Sequence, residues 1–285
     1  MKSLTCGMPV GPDEERGIKF AINCIDISLK MSSSEVLTTW HLMLDPLIDS
    51  ETNKKKFTDL FGERVKFFSV ISKSKNAIKR AESKCGDIHG TLLDDLVHTA
   101  DSKYFCIHDS DIVFLRKNWN KYIVDLFESD ENLIAIGPES PLSDGWRNIP
   151  TSMIVAFRTE EFKKLGVTLN KTYSSLTKFP NAGIVNEDRT VTVDKNNQKY
   201  WNRELGTKVY LETGYELVPA LVESGKRWIT LKTLVGDNKS QWYYDEEGKI
   251  FATHMTGSYF RPWGSEIRKS WSQRIEKEIS ENMSI

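Results

Sequence analysis

The sequence predicts an α/β protein, one domain with a central, mostly parallel sheet flanked by helices. Two observations carry this. Apolar strand-like runs, IKFAINCIDI, VKFFSVI, YFCIHDSDIVF and LIAIG, alternate with segments of helical spacing through the first half. Those runs are apolar nearly throughout, as in strands buried on both faces. A chain of 285 residues with 39% hydrophobic and 28% charged residues also has the make-up of a globular protein with a substantial core.

Taken in order, residues 1–17 read as a loose leader, with Gly, Pro and charge but no periodicity. Ile18 to Ile27 reads as the opening strand, ending near Asp26. Ser34 and Glu35 then start a helix through VLTTWHLMLDPLI. VKFFSVI (65–71) is a second strand and 76–83 a basic helix. Leu92, Leu93, Leu96 and Val97 recur at helical spacing, placing a helix before the strand YFCIHDSDIVF (104–114). A helix over 118–127 and the strand LIAIG (133–137) follow.

The second half is less regular. SMIVAF (152–157) is a strand leading into the helix TEEFKKL, with Thr159 as cap and Gly166 as its stop. Residues 168–200 are polar, a long loop or a hairpin around TVTVDKNNQKY. ETGYELVPALVES (212–224) reads as a helix, WITLKTLV as a strand and 266–282 as a closing helix. The expected division is a leader at 1–17, a domain over 18–265 and a C-terminal helix over 266–285.

Several classes are set aside. A net charge of −1 gives no basis for nonspecific nucleic-acid binding. No run of 18 apolar residues marks a transmembrane helix, and the N-terminus lacks a secretory h-region. Four scattered cysteines without a CxxC fit a reducing, cytoplasmic compartment. Walker A, HExxH and GxSxG patterns are missing from the sequence.

The chemistry concentrates in His108-Asp109-Ser110-Asp111, a polar insert in an apolar run. Two like charges beside a buried strand repel each other unless a cation sits between them or water solvates both. Asp-x-Asp at a strand end offers two hard oxygen donors for Mg²⁺ or Mn²⁺. The alternative is a plain turn, Asp109 capping and Asp111 solvated. In open α/β sheets, ligands bind at the carboxyl ends of strands, which is where these acids fall.

HGTLLDDLVHTADSKYFCIHDSDIVF (89–114), the segment FAINCID and the C-terminal HMTGSYFRPW (254–263) together resemble the nucleotide-sugar-dependent glycosyltransferases of GT-A type. The last segment is similar to the His-x-x-Gly and basic-Pro-Trp of glycogenin-like members, with one extra residue before Arg261-Pro262-Trp263. The resemblance spans roughly residues 18–263 as an order of elements rather than as continuous motif. It implies that Asp109 and Asp111 bind the metal and the donor diphosphate, that His254 is a further metal ligand, and that Arg261 meets phosphate. Asp26 would then recognise the nucleotide.

The activity so implied is a metal-dependent transfer of sugar from a nucleoside diphosphate sugar to an acceptor hydroxyl on a glycan, lipid-linked or protein acceptor. Such a transfer needs a base for the acceptor proton, and inversion places it opposite the leaving group. Glu212, at a helix start where anions are favoured, is the candidate, with Asp144 and Glu204 in reserve. Trp146 and Trp201 could stack on a sugar. Two other readings stand beside this one: a nucleotidyltransferase, and a sugar-binding protein without turnover. ISLKMSSSEV, with neither Gly nor Arg after the first strand, counts against the nucleotidyltransferase.

Overall fold

The computed structural model describes residues 2–69, 86–139, 150, 154–170, 176–201, 203–211, 213–236, 240–255 and 266–283. The strands are β1 (Lys2–Val10), β2 (Val36–Leu44), β3 (Val65–Phe67), β4 (Tyr104–His108), β5 (Ile112–Phe114), β6 (Leu133–Pro138), β7 (Ile154–Arg158), β8 (Thr190–Thr192), β9 (Lys208–Tyr210), β10 (Arg227–Val235), β11 (Gln241–Tyr244) and β12 (Ile250–His254). The helices are α1 (Lys19–Lys30), α2 (Glu51–Phe61), α3 (Gly86–Thr99), α4 (Trp119–Ser129), α5 (Thr159–Leu165), α6 (Gln198–Trp201), α7 (Leu217–Ser224) and α8 (Glu266–Met283).

Ten strands form one sheet in the order β3-β2-β1-β4-β7-β6-β10-β11-β12-β5, and β8 and β9 pair separately. The four strands β3-β2-β1-β4 run parallel, a layer of the expected kind but built in part from β1 and β2, segments read from sequence as leader and helix. Beyond β4 the sheet is mixed: β7 is antiparallel to β4 and β6, β10 runs parallel to β6, and β10 through β5 alternate in direction. β4 and β5 are joined by three residues, which reach about 10 Å at most, yet they are fourth and last in the sheet order. The sheet must therefore curl until its far edge meets the end of β4. That curl builds the site.

Three expectations for the N-terminal region are corrected. The leader is a strand: β1 lies between β2 and β4, fully buried from Leu4 to Val10. Gly7 and Pro9 made it look like loop. Gly7 is there for close approach, because a Cβ at that position would stand 2.5 Å from Phe105 Cζ and 3.3 Å from Leu96 Cβ.

The run read as the opening strand is α1. Its polar residues Lys19, Asn23, Asp26 and Lys30 fall four, three and four apart, while Phe20, Ala21, Cys24, Ile25 and Ser28 are buried, which is helical periodicity. The run read as a helix from Ser34 is β2, where Val36, Thr38 and Trp40 turn inward in alternation.

The rest follows expectation more closely. α3, α4, α5 with Gly166 left-handed at its end, β6, β7, β10 and α8 are present. The polar stretch after 168 holds β8, which pairs with β9. α7 begins at Leu217, later than expected. The basic helix expected over 76–83 lies outside the described residues. β11 and β12 were not anticipated.

Candidate metal and donor site

The site begins at the exit of β4. All five β4 residues are buried, and the chain then turns: the Ile112 N–H donates to the Asp109 carbonyl at 3.2 Å. His108 holds that turn. Its Nδ1–H donates to the Asp109 carbonyl (2.9 Å), and Trp40 Nε1–H donates to its Nε2 (3.2 Å). Burial pushes the His108 imidazole down to about 4, so it is neutral and works as a strut.

β5 pairs antiparallel with β12 in a register that sets His254 opposite Ile112. The Met255 N–H donates to the Asp111 carbonyl at 3.3 Å, closing the same corner. His254 Nε2 thus comes 3.1 Å from Asp111 Oδ1 and 3.8 Å from Asp109 Oδ2. One donor atom each from Asp109, Asp111 and His254 lies within 4.8 Å of the others. The carboxylates converge with His254, as the sequence predicts.

A ring of neighbours tunes this cluster. Burial pushes His254 down, but the Asp111 and Asp109 charges outweigh it and hold the imidazole above its ordinary value. His89, on α3, lies 3.2 Å from Asp109 Oδ1, and its imidazole is likewise raised: the two carboxylates overcome its burial. Burial, aided by the same charges, pushes the Tyr243 hydroxyl well up. Tyr243 donates to Gln241 Oε1 (2.7 Å), which also lies 3.5 Å from His254 Nδ1. Trp271 Nε1–H donates to Thr253 Oγ1 (3.0 Å), tying α8 to β12.

The residues fit a divalent cation. Two carboxylates and a histidine form a hard-to-borderline donor set. Asp109 Oδ1 is buried with no aligned hydrogen bond and meets His89 Nε2 only as an ion pair at 3.2 Å, so a cation would add to the charge that compensates it.

Among the described residues, the candidates Asp26, Trp201 and Glu204 are not part of this cluster. Asp26 is not at a strand end: it pairs with Lys30 at 2.7 Å on α1, its side chain 45% exposed. Cys24 on the same helix feels the Asp111 charge, and Asp26 is about 200° further round, on the opposite face. Trp201 is buried and donates to the Ala182 carbonyl (2.7 Å), so it is core and cannot stack on a sugar. Glu204 is exposed, on the rim of a surface depression with Lys195, Lys199 and Arg203. Glu212, Arg261, Asp144 and Trp146 lie outside the described residues.

Sequence reasoning missed Gln241, Tyr243 and Arg268. Arg268 is a buried guanidinium 3.5 Å over the Phe20 ring. Its charge, like that of Asp111, reaches Cys24. A signal was available in QWYY, whose polar first residue sits in an otherwise aromatic strand.

No protein-family model matches the chain, and no curated protein matches it. Solved structures do. Galactosyltransferase LgtC, in complex with donor and acceptor sugar analogues, aligns over 98% of this chain and 95% of its own at 8% identity and a TM-score of 0.50. A 4-diphosphocytidyl-2C-methyl-D-erythritol synthase from Anaerococcus prevotii aligns over 95% and 96% at 10% identity and a TM-score of 0.48. Mannosyltransferase PcManGT from Pyrobaculum calidifontis, in complex with GDP-Man and Mn²⁺, aligns at 12% identity and a TM-score of 0.40 over 57% of this chain. The chain spans 46% of that mannosyltransferase. Among the described residues no helix is long and apolar enough to cross a membrane. With its curled mixed sheet, and with Asp109 and Asp111 at the exit of a central strand, the chain has the fold of the GT-A-type glycosyltransferases.

Proposed function

We propose that the protein is a metal-dependent glycosyltransferase that moves a sugar from a nucleoside diphosphate sugar to an acceptor hydroxyl. The observation that carries this reading is the convergence of Asp109, Asp111 and His254 at the carboxyl end of β4. The fold shared with a galactosyltransferase captured with donor and acceptor analogues fits it. Asp109, Asp111 and His254 would hold Mn²⁺ or Mg²⁺, which when bound would supply positive charge against the leaving diphosphate.

The chain's own residues supply the rest. His108 and Trp40 keep the Asp109 carbonyl, and with it the turn, in one place, so the carboxylates need little reorganisation on loading. Gln241 accepts from Tyr243 on the Nδ1 side of His254, leaving Nε2 directed at the carboxylates. Arg261, seven residues beyond His254, pairs with donor phosphate. Glu212 takes the acceptor proton, giving inversion at the transferred sugar.

The test is thermal shift and equilibrium binding with a panel of UDP-, GDP-, CDP- and ADP-sugars, with Mn²⁺, with Mg²⁺ and with excess EDTA. One or more donors should stabilise the protein in the presence of metal and lose most of that effect in EDTA. Equal donor binding in EDTA would remove the metal from the reading. Stabilisation by CTP or another triphosphate alone would favour nucleotidyl transfer.

A further inference from the structure

The two oxygens of Asp109 meet imidazoles from two different elements. Oδ2 is 3.8 Å from His254 Nε2 on β12, and Oδ1 pairs with His89 Nε2 on α3 at 3.2 Å. His89 is not itself one of the grouped donors, which among the described residues are Asp109, Asp111 and His254. An aspartate carboxylate rotates readily about its last torsion, so either oxygen of Asp109 could be offered to a ligand. With Oδ1 taken by His89, that rotation costs the ion pair. The pair is partly shielded from water, His89 34% and Asp109 20% exposed, so it keeps more of its strength than one on an open surface.

Of the two partners, His89 is the better anchored. A Cβ on the neighbouring Gly90 would come 2.8 Å from Asn170 Cα and 3.0 Å from the Leu169 carbonyl, so the start of α3 rests directly on that backbone. Asn170 Nδ2 donates to Thr91 Oγ1 (2.6 Å), and Asp94, one turn on, accepts from the Leu169 N–H and the Thr168 hydroxyl, each at 2.5 Å. Asp109 instead lies in the short turn between β4 and β5. His108 and Ile112 fix its backbone carbonyl but not its carboxylate. A braced helix therefore carries the imidazole, and the turn carries the group it can orient.

We propose that His89 is a positioning residue for the metal site: it holds Asp109 Oδ1 and so presents Oδ2 to the cation beside Asp111 and His254. This rests on the reading that those three residues hold a metal. Fixing the carboxylate beforehand removes part of the ordering cost of loading, the usual work of a partner hydrogen-bonded or paired behind a metal ligand. It also commits Asp109 to one oxygen for the cation.

Mn²⁺ titration of the full chain, with pulsed EPR to count directly bound imidazole nitrogens, tests it in the wild type, His89→Ala and His89→Gln. His89→Ala should weaken Mn²⁺ by about tenfold or more. Gln carries an amide N–H near the place of Nε2, so His89→Gln should stay within about threefold of wild type. All three proteins should show one bound imidazole nitrogen, and without metal their melting temperatures should agree within about 2 °C. Equal losses of Mn²⁺ affinity in His89→Ala and His89→Gln would overturn the proposal, because a positioning contact is restored by a group that remakes it. So would wild-type affinity in His89→Ala, or a second bound nitrogen in the wild type that His89→Ala removes. If the wild type binds no Mn²⁺ at all, the metal reading itself falls and this one with it.

Discussion

β4 enters and leaves the sheet beside a histidine–aspartate pair, and the two pairs behave oppositely. At its entrance Asp101 is 53% exposed and accepts from Lys66 Nζ (2.8 Å) and Thr5 Oγ1 (3.1 Å). His41 beside it is fully buried, its Nδ1 2.9 Å from Thr99 Oγ1 and its Nε2 3.7 Å from Asp101. Burial pushes His41 down to about 4, and Lys66 adds to this; the Asp101 charge, already shared with Lys66, does not offset it. At the exit, Asp109 and Asp111 face His89 and His254, and both imidazoles are raised. One carboxylate already matched to a lysine leaves a histidine neutral. Two carboxylates turned on one point draw protons onto the histidines around them, and a divalent cation satisfies such a point better. The carboxylates are more buried at the exit than at the entrance, Asp109 20% and Asp111 7% exposed, yet it is the balance of charge that sets the direction of each histidine and separates a structural pair from a binding site.

The largest effect should come from breaking the exit. Asp111→Asn should abolish Mn²⁺-dependent donor binding and lower turnover by roughly a thousandfold, the scale of several kcal/mol of lost charge stabilisation. The circular dichroism spectrum should be unchanged. Turnover within tenfold of wild type would end the comparison.

Glu212→Gln sharpens it by separating cation binding from proton transfer. Donor affinity should hold while transfer falls about a hundredfold. Retention of configuration in the product would contradict Glu212 as base.

The entrance should show itself in stability. His41 has a folded value of about 4, below the ordinary value of 6.5. Between these pH values the unfolded chain takes up a proton that the folded chain refuses. Stability is therefore highest above pH 6.5 and falls as the pH drops toward 4, by on the order of 1–3 kcal/mol from this residue. His108 contributes with the same sign. His41→Gln should flatten the slope of melting temperature against pH over that window without altering Mn²⁺ affinity. A slope equal to wild type would show that His41 is not the group responsible.

The smallest effect is expected at Asp26. Its pair with Lys30 is exposed, and Asp26→Asn should change stability by no more than about 0.5 kcal/mol. Donor affinity should stay as in wild type, and a clear loss would return Asp26 to the site.

What could be read from the chain alone was local. Asp109 and Asp111 were recognisable because two carboxylates two residues apart interrupt an apolar run, a spacing that places both near one strand end, with a plain turn left as the alternative. Gly166 as a helix stop and the spacing of Leu92, Leu93, Leu96 and Val97 are of the same kind. The N-terminal elements were misread because a ten-residue apolar run carries two periods at once. In IKFAINCIDI the apolar count suggested a strand, while the places of Lys19, Asn23 and Asp26 followed a helix.

The assembly of the site belongs to tertiary structure. His254 came into view from sequence only through resemblance. It reaches Asp111 because β12 pairs with β5 and the sheet curls to bring that edge back to β4. His89 is brought to Asp109 by the packing of α3 on residues 169–170. Strand pairing and helix packing are long-range choices, settled by which buried surfaces fit together, and no spacing within a single segment encodes them.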